Sequence, residues 1–111
     1  MYKRQDVVYR VLLIVAPTRI VRPVPTVSVL EGARLPLSCV VDTDPHYTVT
    51  RRWYHNSSLI NVHSPSTRAF TDDDGSLVVP SVSKADAGLY TCMVDSDGGQ
   101  DNSSGWIYII G

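Results

Sequence analysis

Cys39 and Cys92 stand 53 positions apart and bracket Trp53, and the second cysteine closes the run Asp86-Ala87-Gly88-Leu89-Tyr90-Thr91-Cys92. Trp53 lies fourteen residues after Cys39, and Tyr90 two before Cys92. That is the spacing of a two-sheet sandwich core, in which distant segments meet around a buried indole. The constellation defines a scaffold and says little about a ligand.

The rest of the chain agrees with an all-β class. Short β runs are punctuated by turn residues, and no helical periodicity is long enough to compete. Arg19 to Val21 and Thr26 to Leu30 read as a first strand interrupted by Pro23 and Pro25, which cannot donate to a ladder. The prolines are expected to switch that strand from one sheet to the other. In the second strand Leu35, Leu37, Cys39 and Val41 alternate with Arg34, Pro36, Ser38 and Val40, and the first set is assigned to the core. Pro36 breaks one rung, so its nitrogen is expected to point toward the gap left by the broken first strand. The third strand carries Val49, Arg51 and Trp53 on one face and Thr50, Arg52 and Tyr54 on the other, which makes Arg51 a misfit. Asp73-Asp74-Gly75 supplies a hairpin turn between a strand around Arg68 to Phe70 and the run Ser76 to Val79. Leu77, Val79 and Val82 are expected to point inward.

With 111 residues the chain has room for one domain of ordinary size. Its 10 basic and 11 acidic residues leave a net charge of −1, so no global field points to nucleic acid or to an anionic membrane. No apolar run approaches the roughly eighteen residues a membrane-spanning helix needs. Residues 17–111 are assigned to the sandwich. Residues 1–16 read as a tail: Val7, Tyr9, Val11 and Leu13 alternate like the last strand of a preceding domain, and residues 1–5 match no domain element. A secretory leader is disfavoured there, because the apolar stretch is short and Arg10 abuts it.

Two cysteines alone are compatible with buried thiols in a reducing cytosol. Two sequons, Asn56-Ser57-Ser58 and Asn102-Ser103-Ser104, argue for the secretory route, and both are assigned to polar loops, Asn56 after the third strand and Asn102 before the last. Sugars at both would flank one sheet.

With these residues in view, the chain resembles an intermediate-set immunoglobulin domain. The cysteine separation and the absence of a Phe-Gly-x-Gly bulge in the last strand set it apart from antigen-receptor variable domains. Further details resemble the sixth immunoglobulin domain of contactin, neurofascin and neuroglian type neural adhesion molecules: the junction Ala16-Pro17-Thr18-Arg19-Ile20, the pair Asp44-Pro45, and the ending Ile107-Tyr108-Ile109-Ile110-Gly111. The resemblance implies a two-sheet antiparallel sandwich closed by a Cys39 to Cys92 disulfide, worth about 4 kcal/mol in the chain-entropy model. It implies a core motif of Trp53, Leu77, Asp86, Gly88 and Tyr90, a tyrosine corner at Tyr90, and an ion pair between Arg68 and Asp86. It also implies a role nearer to spacer than to primary ligand site. The Arg-Gly-Asp triplet that some members carry in the sixth domain is missing from this sequence.

No catalytic residue, cofactor or metal is expected. His46, His55 and His63 adjoin neither a nucleophile elbow nor a zinc-binding helix. Asp72-Asp73-Asp74-Gly75 and Asp95-Ser96-Asp97-Gly98 lack the alternating ligands and distal glutamate of a calcium loop, so turn chemistry accounts for them better.

A partner face is expected opposite Trp53, where alternation places Arg52 and Tyr54 with Thr91 and Met93. The last strand adds either Trp106 and Tyr108 or Ile107 and Ile109, and alternation alone leaves that choice open. The expected function is an extracellular module of a multi-domain cell-adhesion receptor. Its partners would be other cell-surface proteins or neighbouring immunoglobulin domains, with no nucleic acid and no membrane contact by this stretch itself. The ectodomain of a receptor kinase or phosphatase and an intracellular muscle-filament domain are the alternatives.

Overall fold

The computed structural model describes residues 17–111, and the readings made for residues 1–16 lie outside them. Ten strands follow one another: β1 (Arg19–Arg22), β2 (Val27–Leu30), β3 (Leu35–Leu37), β4 (Val40–Asp42), β5 (Thr50–His55), β6 (Ser58–Leu59), β7 (Phe70–Thr71), β8 (Leu77–Val79), β9 (Gly88–Ser96) and β10 (Gly99–Ile110). One turn of 3₁₀ helix, Lys84–Asp86, precedes β9. The larger sheet has the order β2-β10-β9-β5-β6; opposite it lie β3-β8-β7 and the pair β1-β4.

The chain crosses between layers at the prolines. β1 pairs antiparallel with β4, whereas β2 runs parallel to β10. Between them Pro23, Val24 and Pro25 carry the backbone over, and Val24 amide donates to Ser103 Oγ at 2.9 Å. Ile20 amide likewise donates to Asp101 Oδ2 at 2.8 Å, and Trp106 amide to Thr26 Oγ1 at 3.0 Å. Side chains thus take over where a regular ladder is interrupted. Pro36 sits in β3, which among the described residues borders its sheet and pairs only with β8. An edge strand is where a missing N–H costs least.

Alternation in the second strand places Leu35, Leu37 and Cys39 in the interior with Trp53, Leu77, Val82, Tyr90, Cys92, Val94 and Ile107. Val41 is partly buried against them. The Cys39–Cys92 bond, with Cα atoms 6.4 Å apart, joins the two layers. Cys92 lies directly across from Trp53 in the β9–β5 register, and the indole Nε1 donates to Gly75 O at 3.1 Å.

That turn also accommodates Arg51. Its side chain lies over Gly75, where a Cβ would come within 2.5 Å of it, and its Nε donates to Cys39 O at 3.4 Å. The charged residue on the Trp53 face therefore leaves the core sideways through a gap that glycine provides. The turn itself is closed by Gly75 amide on Asp72 O and Ser76 amide on Asp74 Oδ1. The strand before it begins at Phe70, two residues later than Arg68.

Candidate interaction surface

Two regions gather the residues singled out from the sequence. The first is the corner at the start of β9. Tyr90 hydroxyl donates to Asp86 O at 2.7 Å, and the Tyr90 ring stacks on His55 with centroids 4.4 Å apart. Asp86 Oδ1 accepts from Arg68 Nη2 at 2.7 Å, while Oδ2 accepts from Ser83 amide at 2.7 Å. Burial works against the Asp86 charge, but the Ser83 amide and the Arg68 guanidinium outweigh it and hold the carboxyl below the ordinary aspartate value of 3.8. Burial, followed by the Asp86 charge, pushes the Tyr90 phenol up to about 12.

Gly88 has φ +133, a backbone that side-chain-bearing residues rarely adopt, and a Cβ there would meet the Asn56 side chain at 2.4 Å. Asn56 fills that space for a reason. Its Oδ1 accepts from Leu89 amide at 2.9 Å, which ties the β5–β6 turn to the corner. Asn56 and Ser57, with φ of 49° and 72°, form the two-residue turn between His55 and Ser58. Positive φ at both central positions is the signature of a tight hairpin turn whose twist matches its strands.

The second region is the outer face of the larger sheet. Ile107 is 1% exposed and Ile109 packs against the core, whereas Trp106 and Tyr108 are 50% and 53% exposed. The register explains the choice left open by alternation. Ile107 pairs with Val27 on one side and Gly88 on the other, and Ile109 with Val29, so the isoleucines share the valines' inward face. On the outer face Tyr54 pairs with Thr91, Arg52 with Met93, and Met93 with Asn102. Met93 is 42% exposed, Arg52 is exposed and Tyr54 is half-buried.

Asn102 corrects one expectation. It lies inside β10, not in a loop before the last strand. The turn is displaced to Asp97-Gly98, because Ser96 pairs with Gly99 and the hairpin zips onward through Asn102 opposite Met93. The polar run 99–104 resembles a loop in composition but is held as strand by β9. A sequon asparagine therefore stands in the sheet itself, outward and exposed.

The three histidines are dispersed. His46 Nδ1 meets Asp44 Oδ1 at 2.8 Å on the surface, His55 meets Ala87 O through Nε2 at 2.8 Å, and His63 lies in the loop after β6. Among the described residues no group of three or more His, Cys, Asp or Glu side chains is placed to hold a metal ion.

A sandwich with this disulfide, indole and tyrosine corner defines a class of protein. The immunoglobulin domain family model matches residues 17–96, and the chain belongs to that family. Among its relatives, sidekick-2 of Mus musculus is 35% identical over 82% of this chain and 4% of its own length. Contactin-1 of Bos taurus is 30% identical over 88% of this chain and 9% of its own length. The chain thus corresponds to a small part of each. A solved structure of titin M10 with an obscurin-like 1 immunoglobulin domain superposes with a TM-score of 0.71 at 24% identity, covering 87% of this chain and 96% of that one, which speaks for the fold alone.

Proposed function

We propose that residues 17–111 are an extracellular module of a multi-domain cell-adhesion receptor, spacing its neighbours and offering the outer face of the β2-β10-β9-β5-β6 sheet to another cell-surface protein or an adjoining domain. One observation carries the reading. Trp106 and Tyr108, residue types enriched among interface anchors, are half exposed on the same sheet face as Met93 and Arg52, further along the strands, instead of being folded inward. A contactin among the relatives supports the adhesion setting, since the junction and ending motifs resemble the same group of neural adhesion molecules. The sixth position in such an array is carried by those motifs alone. The Cys39–Cys92 bond supports a compartment that oxidises thiols, and the sequons at Asn56 and Asn102 support passage through the secretory route.

The test uses the full-length protein expressed in mammalian cells. Antibody staining of unpermeabilised cells combined with alkylation and mass spectrometry is expected to find the domain outside the cell with Cys39 and Cys92 resistant to alkylation. An internal protein with both thiols alkylated would overturn the reading and favour the filament alternative. Cell aggregation is expected to weaken when Trp106→Ser and Tyr108→Ser are combined. Unchanged aggregation would remove the face from the proposal.

A further inference from the structure

The depression around Asn102 has the composition of a seat for a sugar. It measures about 260 Å³, and its lining, completed by Val94 and Asp101, includes Arg52, Met93, Asp95, Gln100 and Asn102. Met93 lies directly across from Asn102, so the two are about 5 Å apart, and Arg52 is one strand further, at about 10 Å. An N-linked glycan begins with a pyranose whose ring presents C–H groups on one side and hydroxyl and acetamido groups around its rim. Met93, 42% exposed, is the apolar side chain of that lining available to the C–H side of the ring. Arg52 and Gln100 supply donors, and Asp95 and Gln100 supply acceptors, for the rim.

We infer that the first sugars of a glycan on Asn102 lie down in this depression and cover the Arg52–Met93 half of the sheet face, leaving the Trp106–Tyr108 half as the contact surface. The inference rests on the secretory reading given above and specifies which part of the face a partner meets. Attachment follows from the sequon: Nδ2 of Asn102 bonds to C1 of the sugar of a lipid-linked pyrophosphate donor. The C1–O bond breaks, the pyrophosphate leaves with its electron pair, and the amide gives up one proton. Transfer to the growing chain precedes folding, so a position inside β10 is no obstacle provided the side chain faces out, as it does.

The contrast with Asn56 strengthens the assignment. The Asn56 side chain is already engaged by Leu89 amide and packs against Gly88, at the corner and away from the depression. A glycan there would project from a hairpin tip.

Met93 serves as the reporter, because thioether oxidation follows exposure. The full-length protein secreted from glycosylating cells is mapped for occupancy at Asn102, exposed to dilute hydrogen peroxide, and followed by mass spectrometry at Met93. Slower oxidation by several-fold than in Asn102→Gln is expected, retained after an endoglycosidase trims the glycan to its first sugar. Ser58→Ala, which removes the other sequon, is expected to leave the Met93 rate unchanged. An occupied Asn102 with a Met93 rate equal to that of Asn102→Gln would overturn the seat while leaving glycosylation intact. An unoccupied Asn102 would overturn both.

Discussion

The corner around Tyr90 and the outer face around Trp106 share strands β5 and β9 and are treated in opposite ways. At the corner the polar atoms are spent internally: Asp86 holds Arg68 and Ser83, Tyr90 holds Asp86 O, His55 holds Ala87 O, and Asn56 holds Leu89 amide. On the face, Trp106, Tyr108 and Met93 present large apolar surfaces to solvent. Strand period separates the two uses: His55 and Tyr90 pair on one side of the sheet, and their immediate neighbours Tyr54 and Thr91 pair on the other. A saturated network fixes geometry, whereas an open apolar face is available for a partner.

If this contrast is right, stability should be sensitive at the corner and insensitive on the face. The largest effect is expected from Asp86→Ala. It removes the acceptor for Ser83 amide and the carboxylate partner of Arg68, which keeps only its longer bonds to Ser81 O and Ser83 Oγ, at a cost of about 2 kcal/mol, measurable as a lower urea midpoint with an unchanged slope. The same carboxylate sets an acid limb. Its folded pKa lies below its unfolded value, so its stabilisation is present above about pH 4 and is lost as the pH falls further. Asp44, held down by the backbone and ring of His46, and Asp74, held down by Ser76, add to that limb. Asp86→Asn should therefore flatten the acid loss in part. A loss of equal steepness would show that Asp86 is not coupled to folding.

Tyr90→Phe ranks next. The ring remains on His55, but Asp86 O loses its donor, a change of about 1 kcal/mol in chemical denaturation. Because the phenol is pushed up to about 12, its stabilising share is intact below about pH 10 and fades as the pH rises from there toward the folded value. An alkaline difference spectrum, wild type minus Tyr90→Phe, is expected to show the phenolate step near pH 12. A step near pH 10 would mean that the corner is open to water.

The two regions also differ in how far they could be read from the sequence. The corner depends on local spacing: Asp86, Gly88, Tyr90 and Cys92 sit within seven residues, and their places follow from one strand and the turn before it. The interior alternation at Leu35, Leu37 and Cys39 was legible for the same reason. The face depends on which strand pairs with which. Whether Trp106 or Ile107 turns inward is decided by Val27 and Gly88, which flank Ile107 from remote parts of the chain. Asn102 reads as loop because Gly99 to Ser104 has loop composition, and only the hairpin register with β9 makes it strand. Arg51 reads as a misfit because its relief, Gly75 and Cys39 O, lies in two other segments. Short-range chemistry is visible in the residues themselves; the long-range Cys39–Cys92 and Arg68–Asp86 pairs follow only from the family resemblance, and the strand register follows from neither.

The smallest effect is expected from the face itself. Trp106→Ser combined with Tyr108→Ser removes two half-exposed rings from strand positions whose backbone pairings, to Leu89 and Ser28, do not involve those side chains. Serine has lower strand propensity than either aromatic, but the neighbouring Ile107 and Ile109 keep β10 anchored in the core. The double variant should stay within about 0.5 kcal/mol of the parent in urea denaturation. A loss comparable to that of Asp86→Ala would mean that the rings support the sheet as strongly as the corner does. It would erase the distinction between the two regions, and with it the argument that these aromatics are held in reserve for a partner.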